Sequence, residues 1–321
     1  MIRDADAAGL AEAVRLLQAG ALVGMPTETV YGLAADAFNP EACARIFEAK
    51  GRPAFDPLIV HLESERRLET VARDVPPAAA LLAAAFWPGP LTLVLRKARA
   101  LPGIVTAGLD SVAVRVPDHP VAQDLLRLSG LALAAPSANP FGGLSPTRAE
   151  HVVLGLGAAV GLVLQGGPCR VGVESTIVDL SAGTPRLLRP GGITREALEA
   201  VLGGHLEQGP GVLERPTAPG QLASHYAPAT PLRLLEGPAA EDGGGPAMGL
   251  LAWSAAPSHH HYAAVEVLSP SGDMAEAAAR LFELLHRLDG LRLDAIDAEP
   301  APPRGLGLAI NDRLGRAAAR G

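Results

Sequence analysis

Lysine is almost missing from this chain. Of its 27 basic residues two are lysines, Lys50 and Lys97, and the rest are arginines. Aromatic residues are scarce as well, at 3% of 321 residues, so a core must be built from Ala, Leu and Val within the 48% that are hydrophobic. That scarcity argues against a single-strand nucleic-acid binder, which stacks bases on aromatic rings. A formal net charge of −7 argues against a general nucleic-acid coat, which needs clustered Lys and Arg. A local basic cleft stays open. There are two cysteines, Cys43 and Cys169, with no Cys-x-x-Cys pair, which removes zinc ribbons and dithiol redox motifs and suits a reduced, cytoplasmic setting. No apolar run approaches the ~18 residues of a membrane span, and the first residues lack the apolar core of a signal peptide. The expectation is a cytoplasmic protein with no membrane partner.

What the chain does have is punctuation, with 36 glycines and 29 prolines. Between them lie alternating apolar strands and amphipathic helices, a mixed α/β pattern. Ala7 to Ala19 reads as a helix ended by Gly20, and Ala21 to Met25 as a strand. Asn39 and Pro40 read as an N-cap and first helical residue, with Gly51 stopping that helix after Lys50. Further strands are expected at Leu58–Leu62, Leu91–Leu95, Val112–Val116, Leu131–Ala135, Leu162–Leu164, Ser175–Leu180 and Pro185–Leu188. From Gly203 to Pro228 the pattern lapses into a Gly/Pro-rich linker. A smaller α/β pattern follows, with strands at Leu232–Leu235 and Met248–Trp253 and a helix at Asp273–Leu288.

One stretch concentrates chemistry. Pro26-Thr27-Glu28-Thr29-Val30-Tyr31-Gly32 is a hydroxyl-rich loop, and Lys50-Gly51-Arg52-Pro53 carries one of the two lysines beside an arginine. A point charge next to a planar fork suits a polyphosphate; a solvated helix end is the other reading of the same pair. Pro136-Ser137-Ala138-Asn139, Gly172-Val173-Glu174-Ser175-Thr176 and Leu188-Arg189-Pro190-Gly191 add hydroxyls, an Arg and glycines at strand ends, as an anionic small-molecule cleft requires. No P-loop, dinucleotide fingerprint, His-Glu-x-x-His helix or Gly-x-Ser-x-Gly elbow is present. His259-His260-His261 cannot share one helical face, so a solvated loop is expected there rather than a metal site.

Together with Pro57-Leu58-Ile59-Val60-His61, Trp87-Pro88-Gly89-Pro90-Leu91-Thr92 and Val112-Ala113-Val114-Arg115-Val116-Pro117, these runs, in this order, resemble the YrdC-like family, specifically its two-domain threonylcarbamoyl-AMP synthase branch. Ser224-His225-Tyr226-Ala227-Pro228 and the run from Gly305 to Leu314 extend the resemblance. It implies a YrdC-like twisted mixed sheet with helices over 1–204, a linker or lid over 205–229, and a small Rossmann-like α/β domain over 230–321. The implied reaction joins L-threonine, bicarbonate and ATP into threonylcarbamoyl-AMP and pyrophosphate. That product feeds a threonylcarbamoyl transferase complex acting on tRNA, with weak direct tRNA contact at most. Magnesium enters with ATP and no organic cofactor is implied.

The resemblance also distributes roles. Lys50 and Arg52 neutralise the triphosphate. Arg115 and His61 hold the threonine carboxylate, while Thr27, the Ala135 backbone and Ser175 position threonine. Ser111, Ser137, Asn139, Ser145 and Arg189 line the nucleotide, and Tyr226 reaches ATP from the linker. Asp56 stands where the family commonly has Asn or His, and is expected to meet ATP only by holding a metal or a ribose hydroxyl. Two other readings stand beside this one: an RNA-binding YrdC-like module without synthase activity, and a carbamoyltransferase of the hydrogenase-maturation type. The latter needs Cys-rich zinc motifs that two cysteines cannot supply.

Overall fold

Side-chain parity explains the first layer of this structure. The computed structural model describes residues 1–209, 211 and 216–319. Of the expected linker at 205–229, residues 210 and 212–215 lie outside the described residues, as do 320 and 321 of the second domain. A twelve-stranded mixed sheet carries the N-terminal part. Along its path run Ile2–Asp4, Leu162–Gln165, Val23–Met25, Gly32–Asp36, Leu133–Ala134, Ile59–His61, Ser111–Arg115, Leu91–Lys97, Thr176–Asp179, Arg186–Arg189 and Glu207–Gln208, with Ala72–Arg73 paired beside Leu91–Lys97. Successive strand residues point to opposite faces. Val60, Leu93, Leu95, Val112, Val114, Ala134 and Val163 enter one large core. On the other face Leu133, Leu162 and Leu164 join a second cluster with Leu10, Leu17, Leu125 and Leu126. Ile59, Val94, Ala113 and Ile177 form a small third cluster with Ala218 of the linker.

The helices begin and end on local chemistry. Asp6 caps Ala7–Gln18 by accepting from the Gly9 amide at 2.8 Å. Asn39 caps Pro40–Lys50 at the Ala42 amide, 3.0 Å, and Gly51 ends it in the left-handed conformation at φ 60°. Asp273 caps Met274–Asp289. Each such cap satisfies amides that have no partner inside the helix. Strands that the pattern does not mark also form. Gly32–Asp36 is one, Gly-Leu-Ala-Ala-Asp, made of small residues buried on both faces and so without alternation. Ala264–Val267 and Ala295–Ala298 are two more.

The second sheet is wholly parallel, in the order Leu232–Leu234, Ala295–Ala298, Met248–Ala252, Ala264–Val267. Met274–Asp289 and Gly307–Ala318 pack on it and on each other. The parallel sheet with its helices is Rossmann-like, although no helix lies in the connection from 253 to 263. Its core does not stop at the domain edge. Leu232, Leu281, Phe282, Leu285 and Leu314 share one cluster with Val30, Leu144, Val173 and Tyr226. Among the described residues no helix is long and apolar enough to cross a membrane.

Gly172 shows how close this contact is. It adopts φ +73°, and a Cβ there would stand 2.4 Å from the Ala278 carbonyl oxygen and the Ala279 Cα. Gly172→Ala therefore meets both a strained backbone and rigid helix backbone. We expect a loss of at least ~1 kcal/mol and a melting temperature lower by a few degrees. An unchanged thermal midpoint would show that this interface is soft.

Candidate functional site

Strand register puts the polar residues together. His61 pairs with Arg115 across parallel strands, Thr92 with Arg115 across antiparallel ones, and Thr176 with Leu91. Parity then turns His61, Arg115, Thr92 and Ser175 to the same face as Ile59, Ala113, Val94 and Ile177. The result is a cleft of about 530 Å³, open mouth included, lined by Thr27, Thr29, Arg52, His61, Arg115, Ala135, Ser137, Glu174, Ser175, Arg189, His225 and Tyr226 among others.

At one end sits Arg115, buried. Its Nη1 donates to Thr29 Oγ1 at 2.8 Å and its Nε to the Gly89 carbonyl at 3.2 Å. Its Nη2 lies 2.7 Å from Glu28 Oε1. That contact is an ion pair by distance only, because neither Glu28 oxygen meets hydrogen-bond geometry. Thr27 Oγ1 donates to the Val30 carbonyl at 2.6 Å, so in its 2.8 Å contact with Thr29 the Thr29 hydroxyl is the donor. The whole loop is thus wired to one guanidinium. The Ala135 amide is spent on the Ile59 carbonyl, 2.9 Å away, so its carbonyl is what it can offer a ligand.

At the other end Arg189 donates from Nη2 to the Ser175 carbonyl and hydroxyl, at 2.9 and 3.2 Å, and from Nη1 to the Pro219 carbonyl at 3.2 Å. Ser175 Oγ lies 2.7 Å from Thr92 Oγ1. Tyr226 is 1% exposed and takes φ 64°, a conformation rare outside glycine. Its hydroxyl lies 3.5 Å from Arg189 Nη1. Gly220 is required beneath it, since a Cβ there would fall 2.5 Å from that hydroxyl.

Arg52 faces the cleft but is held by its own loop. It donates to the Asp56 and Pro57 carbonyls at 3.0 and 2.7 Å, and its Nη2 stands 3.0 Å from Asp56 Oδ2. Burial pushes the Asp56 carboxyl up, and Arg52 works against that. Lys50 is buried and does not line the cleft. Its ammonium donates to the carbonyls of Ser137 and Asn139 at 2.6 and 2.5 Å, so it pins the loop that presents Ser137. Burial first, then Arg52, draws its pKa well below the usual lysine value.

The cleft therefore gathers nine of the sequence candidates: Thr27, Arg52, His61, Arg115, Ala135, Ser137, Ser175, Arg189 and Tyr226. Five stand behind or away from its walls. Lys50, Asp56 and Asn139 support loops, and the Ser145 hydroxyl donates to Glu174 Oε1. Ser111 shares the face of Arg115 but lies four residues earlier on the strand, about 13 Å away at ~3.3 Å per residue. Glu28, Thr29, Glu174, His225 and Arg313 were given no role in the sequence. The first four lie inside the motif runs quoted there. Arg313 comes from the last helix of the other domain, and only the fold brings its Nε to Glu174 Oε2, at 2.7 Å.

Comparison with known proteins matches the chain in two parts. Residues 15–191 match the model of the Sua5, YciO and YrdC proteins, described as telomere recombination, and residues 193–319 match the threonylcarbamoyl-AMP synthase C-terminal domain. The threonylcarbamoyl-AMP synthase of Bacillus subtilis is 43% identical over 320 residues, covering 96% of this chain and 92% of the relative. That of Pyrococcus abyssi is 42% identical, covering 95% and 92%. The crystal structure of P. abyssi Sua5 complexed with L-threonine superposes with a TM-score of 0.88 at 39% identity, covering 96% of this chain and 94% of that one. Full-length HypF in its phosphate- and nucleotide-bound form shares the fold alone, at 19% identity and a TM-score of 0.52 over 58% of this chain and 30% of that one.

The buried histidines generate a pH dependence. Burial, and next the Arg115 charge, hold His61 down to about 3. Burial and then His286 hold His151 at about 4. His225 lies well below its usual value through burial and the charges of Arg52 and Lys50. Unfolded, each titrates near ~6.5. Below that pH the unfolded chain binds more protons than the folded one, so stability is full above ~6.5 and falls as pH drops toward the folded values. For His61 the slope approaches about 1.4 kcal/mol per pH unit. Urea unfolding at pH 7 and pH 5 should show the loss, and His61→Gln should reduce it. Equal midpoints at both pH values would contradict the burial argument.

Proposed function

Since the chain belongs to the threonylcarbamoyl-AMP synthase family of YrdC-like proteins, we propose that it makes threonylcarbamoyl-AMP and pyrophosphate from L-threonine, bicarbonate and ATP. The observation that carries the reading is the division of one cleft between Arg115 with its hydroxyl row and Arg189 with Arg52 beneath the Tyr226 cover. An amino acid and a nucleotide need such adjoining subsites. The near full-length likeness to a protein crystallised with L-threonine supports the first of them.

In this reading Arg115 binds the threonine carboxylate. His61, neutral at pH 7, adds one hydrogen bond and no charge. Thr27, the Ala135 carbonyl and Ser175 position the rest of the amino acid. The unprotonated threonine amine takes up the one-carbon unit of bicarbonate as a carbamate, releasing water. A carbamate oxygen then attacks the α-phosphorus of ATP, and the bond to the β-phosphate oxygen breaks as pyrophosphate leaves. Such transfers depend on positioning and charge neutralisation more than on covalent catalysis. Arg52 and Arg189 supply charge, Ser137 lines the nucleotide, and Lys50, Asn139 and Ser145 shape the loops around it. Asp56 acts through Arg52, to which its carboxylate is turned.

Magnesium belongs here to the substrate, as the complex of ATP. Among the described residues no group of three or more His, Cys, Asp or Glu could hold a metal ion. The carboxylates Glu28, Asp56 and Glu174 are each engaged by an arginine. No step is assigned to the ion. The product is a labile mixed anhydride, so the reading includes direct passage to a threonylcarbamoyl transferase complex that modifies tRNA. The acidic balance and scarcity of aromatic residues disfavour an RNA-binding module without synthase activity.

Three outcomes test the reading. Pyrophosphate release should require threonine and bicarbonate together. Serine should replace threonine with a loss of tenfold or less, because one buried methyl is worth ~0.8 kcal/mol. Tyr226→Ala should fold and divert product from threonylcarbamoyl-AMP to AMP, because water enters. Equal pyrophosphate release without any amino acid would remove the synthase reading, and a Tyr226→Ala enzyme with wild-type product yield would reduce the linker to a tether.

A further inference from the structure

Among the described residues the largest fully buried side chain is a charged one, from the second domain. Arg313, on the helix Gly307–Ala318, has a side chain with no exposure at all. Its Nε donates to Glu174 Oε2 at 2.7 Å and its Nη1 to Asp312 Oδ2 at 2.6 Å. Its guanidinium carbon lies 5.0 Å from the centre of the Tyr226 ring, within cation–π range. Its Nη2 has no partner among the described residues. Burying a guanidinium is expensive, and an apolar residue of similar size would often pack as stably. Packing alone therefore does not account for an arginine here.

What it touches gives the reason. Glu174 is shared, one oxygen taking the Ser145 hydroxyl and the other Arg313. Glu174 lies in the cleft wall and immediately precedes Ser175, whose hydroxyl meets Thr92 and Arg189. Tyr226 covers the same cleft from the linker. One helical turn on from Asp312, the Arg316 carbonyl accepts from the His225 amide at 3.2 Å, and its guanidinium donates to the Leu222 carbonyl. Residues 312, 313 and 316 share one helix face, and that face meets both the cleft wall and its cover.

We infer that Arg313 is a positioning residue of the cleft: it ties the Glu174 wall to the Tyr226 cover, so that the second domain determines whether the cover is closed. The inference rests on the synthase reading only for its effect on turnover. Its effect on the cover can be measured without any substrate.

The experiment compares the full chain with Arg313→Met and Arg313→Lys. Circular dichroism and thermal unfolding establish that each is folded. Hydrogen exchange is followed at the non-proline amides of residues 219–228 and, as an internal control, of Leu91–Lys97. Turnover is read as the ratio of AMP to threonylcarbamoyl-AMP. For Arg313→Met we expect exchange at least tenfold faster over 219–228, unchanged exchange in the control strand, and a product ratio moved toward AMP. A lysine keeps the charge but not the fork, so Arg313→Lys should fall between the two. If Arg313→Met does not fold, Arg313→Lys decides alone, with at least threefold faster exchange expected over 219–228. A folded variant with wild-type exchange there and a wild-type product ratio would overturn the inference and leave Arg313 as an interface filler. If no form of the protein makes threonylcarbamoyl-AMP yet 219–228 still responds, the synthase reading fails and the positioning role stands.

Discussion

Three arginines around one cleft are buried, and each is matched by a buried carboxylate: Arg115 with Glu28, Arg52 with Asp56, Arg313 with Glu174. This matching is the constraint on which the site depends. A guanidinium without a counter-charge is costly to keep in the interior, because desolvation is only partly offset by neutral hydrogen bonds. With the carboxylate in place the cation is retained, fixed in direction and nearly neutralised. A cleft built this way holds positive charge ready for anionic ligands without the repulsion that bare arginines would suffer. Arg189 alone among the four depends on carbonyls, hydroxyls and the Glu174 field.

Arginine suits these buried positions. A planar fork can serve several acceptors at once, as Arg115 does with Gly89, Thr29 and Glu28. Lys50 serves a different geometry. Its compact ammonium fits between two carbonyls of the Pro136–Pro140 turn, where a fork would not. In this structure Lys50 anchors that loop and meets the cleft through Ser137.

How much of this was legible in the sequence depended on the range of the interaction involved. Helix ends were legible because caps are local: Asn39, Gly51 and Asp273 each act within a few residues of themselves. Gly32–Asp36 was not, since a strand buried on both faces shows no alternation and small residues give no propensity signal. Most cleft residues were legible through motif runs, whose register the parity of the strands converts into one face. Parity says nothing of distance along a strand: Ser111 shares the face of Arg115 but stands four residues from it. Arg313 was out of reach for the opposite reason. Its run was recognisable, but nothing local says that a helix from a second domain enters the first.

That long-range contact changes how the two domains are to be understood. Val30, Leu144 and Val173 of the first domain share a core with Phe282 and Leu314 of the second, and Gly172 admits a helix backbone with no room for a methyl group. The apolar contact fixes where the second domain sits. It does not act on the cover alone: the linker meets Arg189 of the cleft through the Tyr226 hydroxyl and the Pro219 carbonyl, and Arg316 of the last helix through the His225 amide and the Leu222 carbonyl. Polar contacts are directional, so they transmit position where hydrophobic ones transmit only proximity. A reaction whose product is destroyed by water needs such positional control over its cover, and the helix Gly307–Ala318 supplies it from outside the catalytic sheet. The second domain is in this sense part of the active site, joined to it by an apolar core and by one buried charge.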